Sequence, residues 1–208
     1  MNWLQGGPFL ELSFIINEPT KIERVISKLK NLDVKIEVHN PPEYLQQYYE
    51  GYPYDEDDPH SVMIHQITLN ITVHTTRLRR ALLFVEKISS KLLSFSICFY
   101  GDAFDAPEWN QLGVRDDELD EFISLLISLY MELDFSVGGL AIEEDIKGLF
   151  DVSEGWPNEK YHLANLNFKD SLQNFLAIII NRSLKDNFPD EHFILKDNSY
   201  LLYRTELR

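Results

Sequence analysis

The sequence predicts an α+β fold, and three observations carry that prediction. Short runs alternate apolar with polar residues, other runs repeat apolar residues at helical spacing, and 208 residues with 44% hydrophobic and 12% aromatic content supply a packed core. Leu10, Leu12, Phe14 and Ile16 alternate with more polar neighbours, which places a strand with one buried face over 9–16. Asn17-Glu18-Pro19-Thr20 supplies stop and start residues for a helix over 20–31, in which Ile22, Val25, Ile26 and Leu29 share a face opposite Glu23, Lys28 and Lys30. Val34, Ile36 and Val38 then mark a strand over 33–39.

A second unit repeats the order. Ile67, Leu69, Ile71 and Val73 define a strand over 66–74; Val62 and Ile64 fall on the opposite parity, so this strand either begins late or carries a bulge. Thr75 or Thr76 caps a helix expected over 76–92, with Leu78, Ala81, Leu82, Val85, Ile88 and Leu92 as its apolar stripe. Phe95, Ile97 and Phe99 make a strand over 94–100. Strand-helix-strand twice over is the order of a ferredoxin-like sheet, expected here for the N-terminal half.

In the second half, Asp116, Asp117 and Glu118 open a helix whose Leu119, Phe122, Ile123, Leu126 and Tyr130 share a face, with the acids at the positive end of the helix dipole. A strand over 135–142 is expected to be interrupted by Gly138-Gly139, with a short helix from Glu143-Glu144-Asp145-Ile146 to near Phe150 and a loop over 151–160. Leu172, Phe175, Leu176, Ile179 and Ile180 predict a helix over 169–186, and Phe193-Ile194-Leu195 with Tyr200-Leu201-Leu202-Tyr203 predict a C-terminal hairpin. One compact body over 1–208 is expected, with lobes at 1–100 and 101–208.

Charge narrows the partners. The chain has 34 acidic and 19 basic residues, a formal net charge of −15, so nucleic acid and anionic membranes are repelled and cationic partners are steered in. Net negative charge also keeps a protein soluble. No apolar run approaches the ~18 residues of a membrane span, and residues 1–8 lack the basic start and apolar run of a secretory signal, so a cytoplasmic location is expected. The single cysteine, Cys98, agrees with a reducing compartment and is expected to be a buried, inert thiol on the face opposite Phe95, Ile97 and Phe99.

Catalytic and metal signatures are missing from the sequence. His39, His60, His65, His74, His162 and His192 are scattered without the His-Glu-x-x-His spacing, and neither a Gly-x-Ser-x-Gly elbow nor a phosphate loop occurs. Asp55-Glu56-Asp57-Asp58 lacks the alternating ligands and central glycine of a calcium loop. No cofactor and no metal is expected. Glu143-Glu144-Asp145 beyond Gly138-Gly139 leaves one enzymatic alternative, a carboxylate-lined cleft at a strand end suited to proton transfer, although a helix start explains the same acids.

Two connections stand apart. Residues 40–60 mix Tyr44, Tyr48, Tyr49, Tyr52 and Tyr54 with Glu43, Glu50, Asp55, Glu56, Asp57 and Asp58, and residues 101–115 bring Asp102, Asp105, Glu108 and Trp109 up to Asp116, Asp117 and Glu118. Tyrosine offers a stiff contact surface at low entropic cost, and carboxylates pair with Lys or Arg of a partner. The expected partner-binding residues are Tyr49, Tyr52, Tyr54, Asp55, Glu56, Asp57, Asp58, Asp105, Glu108, Trp109, Asp116, Asp117 and Glu118. Each connection follows the last strand of its unit, so both are expected at one end of the sheet. Two solvated loops whose tyrosines cover the core edge would read the same way.

This acidic character across the chain, with the run from Gly139 to Phe150 and the Gly155-Trp156-Pro157 turn, resembles the small acidic immunity proteins that bacteria encode beside polymorphic toxins. The resemblance implies a non-enzymatic protein that binds and neutralises a cognate, basic toxin, acidic side chains taking the place of nucleic acid in its cleft. The other function classes are a carboxylate-based enzyme, using the acids at 143–145 or those of the tyrosine-rich segment, and an acidic adaptor or structural protein.

Overall fold

β1 (Phe9–Asn17) is the middle strand of a nine-stranded antiparallel sheet in the computed structural model of the chain. Residues 8–17, 21–32, 34–101, 113–150, 161–168, 171–187, 194–196 and 199–204 are described. The remaining elements are α1 (Ile22–Leu29), β2 (Ile36–Val38), α2 (Gln46–Glu50), β3 (Tyr52–Pro53), β4 (Met63–Ile64), β5 (Gln66–His74), β6 (Leu78–Lys87), β7 (Leu92–Tyr100), α3 (Leu119–Leu133), β8 (Val137–Ile142), β9 (Phe175–Asn181), β10 (Ile194–Lys196) and β11 (Tyr200–Arg204). The sheet order is β10-β11-β9-β8-β1-β7-β6-β5-β2, and β3 pairs with β4 as a separate hairpin.

The α+β class stands, as do the strands at 9–16, 33–39, 66–74 and 94–100, all in one sheet, and the C-terminal hairpin. Two predicted helices are strands. Residues 78–87 form β6, so the second unit of the ferredoxin-like repeat is a three-stranded meander rather than strand-helix-strand. The cause is apolar residues on both faces: Ala81, Leu83 and Val85 are buried on one side, buried Leu82 and exposed Phe84 lie on the other, and a continuous apolar run satisfies helical spacing by accident. Leu78, counted in the predicted stripe, is exposed. The same holds at 169–186, where β9 runs through Phe175-Leu176-Ala177-Ile178-Ile179-Ile180, a β-branched segment between β8 and β11.

Gly138-Gly139 does not interrupt β8; two aromatic rings require glycine there. A Cβ on Gly138 would lie 2.7 Å from the Phe135 ring, and one on Gly139 2.7 Å from the Phe175 ring. The strand over 66–74 begins late, as Val62 and Ile64 belong to the separate β3–β4 hairpin. The short helix expected from Glu143 is a single 3-10 turn, Ile146–Leu149, capped by Asp145, whose Oδ1 accepts from the Lys147 amide at 2.7 Å. Residues 151–160 and Asp197-Asn198 lie outside the described residues.

One face of the sheet packs against helices. Leu10, Leu12, Phe14 and Ile16 of β1 join alternate residues of β5, β6 and β7 under α1 and α3, with Phe14 stacked between Phe95 (5.3 Å) and Phe135 (5.2 Å). α1 forms as its spacing predicts, burying Ile22, Val25, Ile26 and Leu29, with Glu23 in the first turn and Lys28 in the last to complement the dipole. On the other face, Ile15, Val137, Ile178 and Ile180 meet Ile146, Leu149, Phe150, Tyr161 and Phe168. That covering lies over β1, β8 and β9. Over β5, β6 and β7 the same face is mixed, a small apolar cluster of Leu82, Cys98 and Tyr100 beside polar residues such as Thr68, Glu86, Ser94 and Ser96.

An acidic hairpin beside a polar cavity

The tyrosine-rich segment is built on Tyr48, which is buried in the core while its carbonyl accepts from His65 Nδ1 at 3.0 Å. Residues 40–60 are therefore more ordered than the predicted loop: a 3-10 turn at Pro42–Leu45 runs into α2. Gly51 then turns the chain with φ +65°, where a Cβ would meet the Ile64 carbonyl at 2.6 Å, so only glycine fits. β3 and β4 follow as a short hairpin, extended by the Tyr54 amide donating to the Val62 carbonyl at 2.9 Å.

At its tip the acids organise their own turn. Asp55 Oδ1 accepts from the Asp57 amide at 3.0 Å and Asp58 Oδ1 from the His60 amide at 2.9 Å. Asp55, Glu56, Asp57 and Asp58 are all exposed. Of the ten exposed large hydrophobic residues among those described, five lie between 49 and 63: Tyr49, Tyr52, Tyr54, Val62 and Met63. The segment thus presents a cluster of aromatic and apolar surface beside four carboxylates. Tyr49 is partly tied down, its hydroxyl donating to Glu23 Oε2 at 2.7 Å. Desolvation and then this bond push the Tyr49 hydroxyl up to about 12, while the same bond holds the Glu23 carboxyl below its ordinary value.

Asp116, Asp117 and Glu118 do not join this group. β2 runs antiparallel to β5, which runs parallel to β7 through β6, so β2 and β7 end at opposite ends of the sheet. The reversal that separates the two connections is the antiparallel pairing of β2 with β5. Asp105, Glu108 and Trp109 lie outside the described residues. Asp116 and Asp117 are exposed at the far end from the hairpin tip, near the Thr75–Arg77 turn.

Glu118 is not a surface residue. Its side chain is 4% exposed and accepts from Arg79 at 2.6 Å and from the Arg115 amide at 3.1 Å, with Arg77 paired to its other oxygen. Burial opposes its charge, but the Arg115 amide, Arg79 and Arg77 outweigh that and hold the carboxyl below the ordinary range. Arg79 is in turn seated 5.4 Å over the Phe122 ring. This cluster pins the start of α3 to β6.

Sequence reasoning missed a cavity of about 400 Å³ on the polar part of the sheet. Register pairs Ser96 with Ser13 and Phe84, Glu11 with Cys98, and Glu86 with Ser94 and Gln66, which lays serines, carboxylates and one ring side by side. Asp145 and Lys147 border it from the turn after β8. Lys147 Nζ donates to Glu86 Oε2 at 2.7 Å and lies 3.4 Å from Asp145 Oδ2. Burial pulls the Lys147 ammonium down, but Asp145 and Glu86 reverse this and hold it above its ordinary value.

Glu11 has a different balance. Ser96 Oγ donates to its Oε2 at 3.0 Å, yet burial, with Asp145 and Glu143 nearby, raises the carboxyl above its ordinary value. Burial and then Glu11 push the Cys98 thiol far up, so Cys98 is a buried thiol and a poor nucleophile, on the face opposite Phe95, Ile97 and Phe99 as expected. With the amine held charged and the thiol held neutral, the cavity is suited to electrostatic binding more than to nucleophilic attack. Asp145 was legible as part of the acidic run after Gly139; Glu11, Ser94 and Ser96 were legible only as polar residues in strands. The cavity adjoins the hairpin: the Gln66 side chain lines it and donates to the Tyr52 hydroxyl.

Among the described residues no group of three or more His, Cys, Asp or Glu is placed to hold a metal ion, and no helix is long and apolar enough to cross a membrane.

Fold and surface define an acidic α+β protein with an aromatic, carboxylate-bearing hairpin. No protein-family model matches the chain, and no curated protein matches it. Among solved structures, the Pseudomonas aeruginosa T6SS protein PA0821 is similar at 10% identity and a TM-score of 0.41, over 98% of this chain and 67% of that one. A likeness that slight says nothing of function.

Proposed function

We propose that the chain is a non-enzymatic binding protein that docks a cationic protein partner on the 49–64 segment, and that this partner is a bacterial toxin which it neutralises. The observation that carries the reading is the concentration of exposed Tyr49, Tyr52, Tyr54, Val62 and Met63 beside Asp55, Glu56, Asp57 and Asp58. Aromatic anchors beside charge of one sign are what a steered interface uses: the rings contribute affinity and the carboxylates contribute association rate. The net charge of −15 acts in the same direction. Asp116 and Asp117, at the other end of the sheet, add to the long-range field and not to this contact.

The test is binding kinetics to the captured partner at low and high salt. Asp55, Glu56, Asp57 and Asp58 replaced by Asn or Gln slow association about tenfold at low salt and flatten its salt dependence, whereas Tyr54→Ala chiefly speeds dissociation, costing about 2 kcal/mol if the ring is an anchor. Unchanged rates in both variants remove the hairpin from the interface. The toxin assignment is checked by co-expression with the partner: survival that depends on this chain supports it, and a partner harmless to cells rejects it.

A further inference from the structure

The cavity beside the hairpin carries an imbalance of charge. Three carboxylates, Glu11, Glu86 and Asp145, face one cation, Lys147, and that cation is already engaged by two of them. Glu11 is left with neutral donors alone, the Ser96 hydroxyl and more weakly the Cys98 thiol, in a partly buried position. A carboxylate desolvated without a counter-charge is unfavourable, and a cation entering the cavity relieves that cost.

A second observation points to the same occupant. Ser94 is 4% exposed and lines the cavity, and its hydroxyl has no hydrogen-bond partner among the described residues. Its oxygen opens into the cavity, where a guest can donate to it or accept from it. Two rings stand in the wall beside Gln66 and Thr68: Phe84 keeps 38% of its surface exposed within a sheet face, and Phe9 also lines the cavity. An aromatic face next to a carboxylate and hydroxyls is the combination that recognises an organic cation, the ring taking the alkyl stem or the charge itself.

We propose that this cavity receives a single organic cation, an alkylguanidinium or alkylammonium group, paired with the Glu11 carboxylate, bonded to Ser94 and Ser96, and covered by the Phe84 ring. The group comes from a free small molecule or from an arginine or lysine side chain. The proposal stands whether or not the hairpin docks a protein.

Binding to the full chain is followed by backbone amide shifts with four probes: butylguanidinium, butylammonium, butanol and butyrate. The two cations shift Ser94, Ser96 and Phe84 in a saturable way and the two controls do not. Glu11→Gln weakens the cations at least about tenfold, the scale of one charge-assisted hydrogen bond. Should that variant fail to fold, Ser94→Ala and Phe84→Ala each weaken the cations severalfold in a folded protein, while Glu23→Gln changes nothing. Affinity for the cations rises with pH through the raised titration of Glu11 and then levels, because the carboxyl gives up its proton on pairing; Cys98, Glu143 and Asp145 face the same group, and Lys147 with Glu86 lies beyond them. That rise is absent in Glu11→Gln. Arginine blocked at both ends identifies the source: saturable entry admits a protein side chain, and its exclusion while butylguanidinium binds assigns a small molecule, both supporting the cation site. Equal shifts with butanol, no saturable shift with either cation, or cation affinity unaltered by Glu11→Gln in a folded protein overturns the proposal.

Discussion

Glu118 shows how one side chain changes meaning when its neighbours are known. In sequence it is the third acid of a helix start; in space it is the anion that three arginines share. Removing one member of a buried pair leaves the other charge without compensation, and Arg79, itself 3% exposed, is the one left behind. Glu118→Ala is expected to lower stability by about 3 kcal/mol. The pH dependence carries a signature. Because the folded carboxyl is held below its unfolded value, its contribution is present above the unfolded value and disappears as pH falls through the depressed folded one. Denaturation series therefore show the variant and the wild type converging as pH falls, with the full gap at neutral pH. A gap that does not close on acidification would mean that packing, and not charge, holds the helix start.

At the scale of elements, β8 is the most demanding. Its two glycines are present because Phe135 and Phe175 occupy the space of a side chain, so Gly139→Ala must displace the Phe175 ring and is expected to cost about 1–3 kcal/mol. Adding Phe175→Leu should recover part of that loss, measured by urea denaturation of the single and double variants. The sequence made β1, β5 and β7 legible, since each shows clean alternation or a run closed by turn residues. It hid β6 and β9, since a strand with apolar residues on both faces loses the period of two that distinguishes it from a helix. The hairpin was legible as composition, tyrosines among acids, but not as geometry. The cavity was hidden altogether, because Glu11, Ser94 and Phe84 meet only through the register of β1, β7 and β6.

For the whole molecule, β1 pairs with β7 along one edge and β8 along the other, so one ladder of hydrogen bonds crosses from the first hundred residues into the second. We expect the two halves to unfold together, in a single transition that coincides by far-ultraviolet and near-ultraviolet circular dichroism. Two separated transitions would assign the halves to independent lobes. The same centrality has a consequence during synthesis. Phe9 finds its strand partner at Tyr100 and Leu10 its second partner at Ile142, so β1 leaves the ribosome well before the strands that satisfy either edge. A nascent chain with an unpaired apolar strand is open to wrong pairing, and translation speed between residues 20 and 100 becomes a determinant of how much of this protein reaches its native sheet.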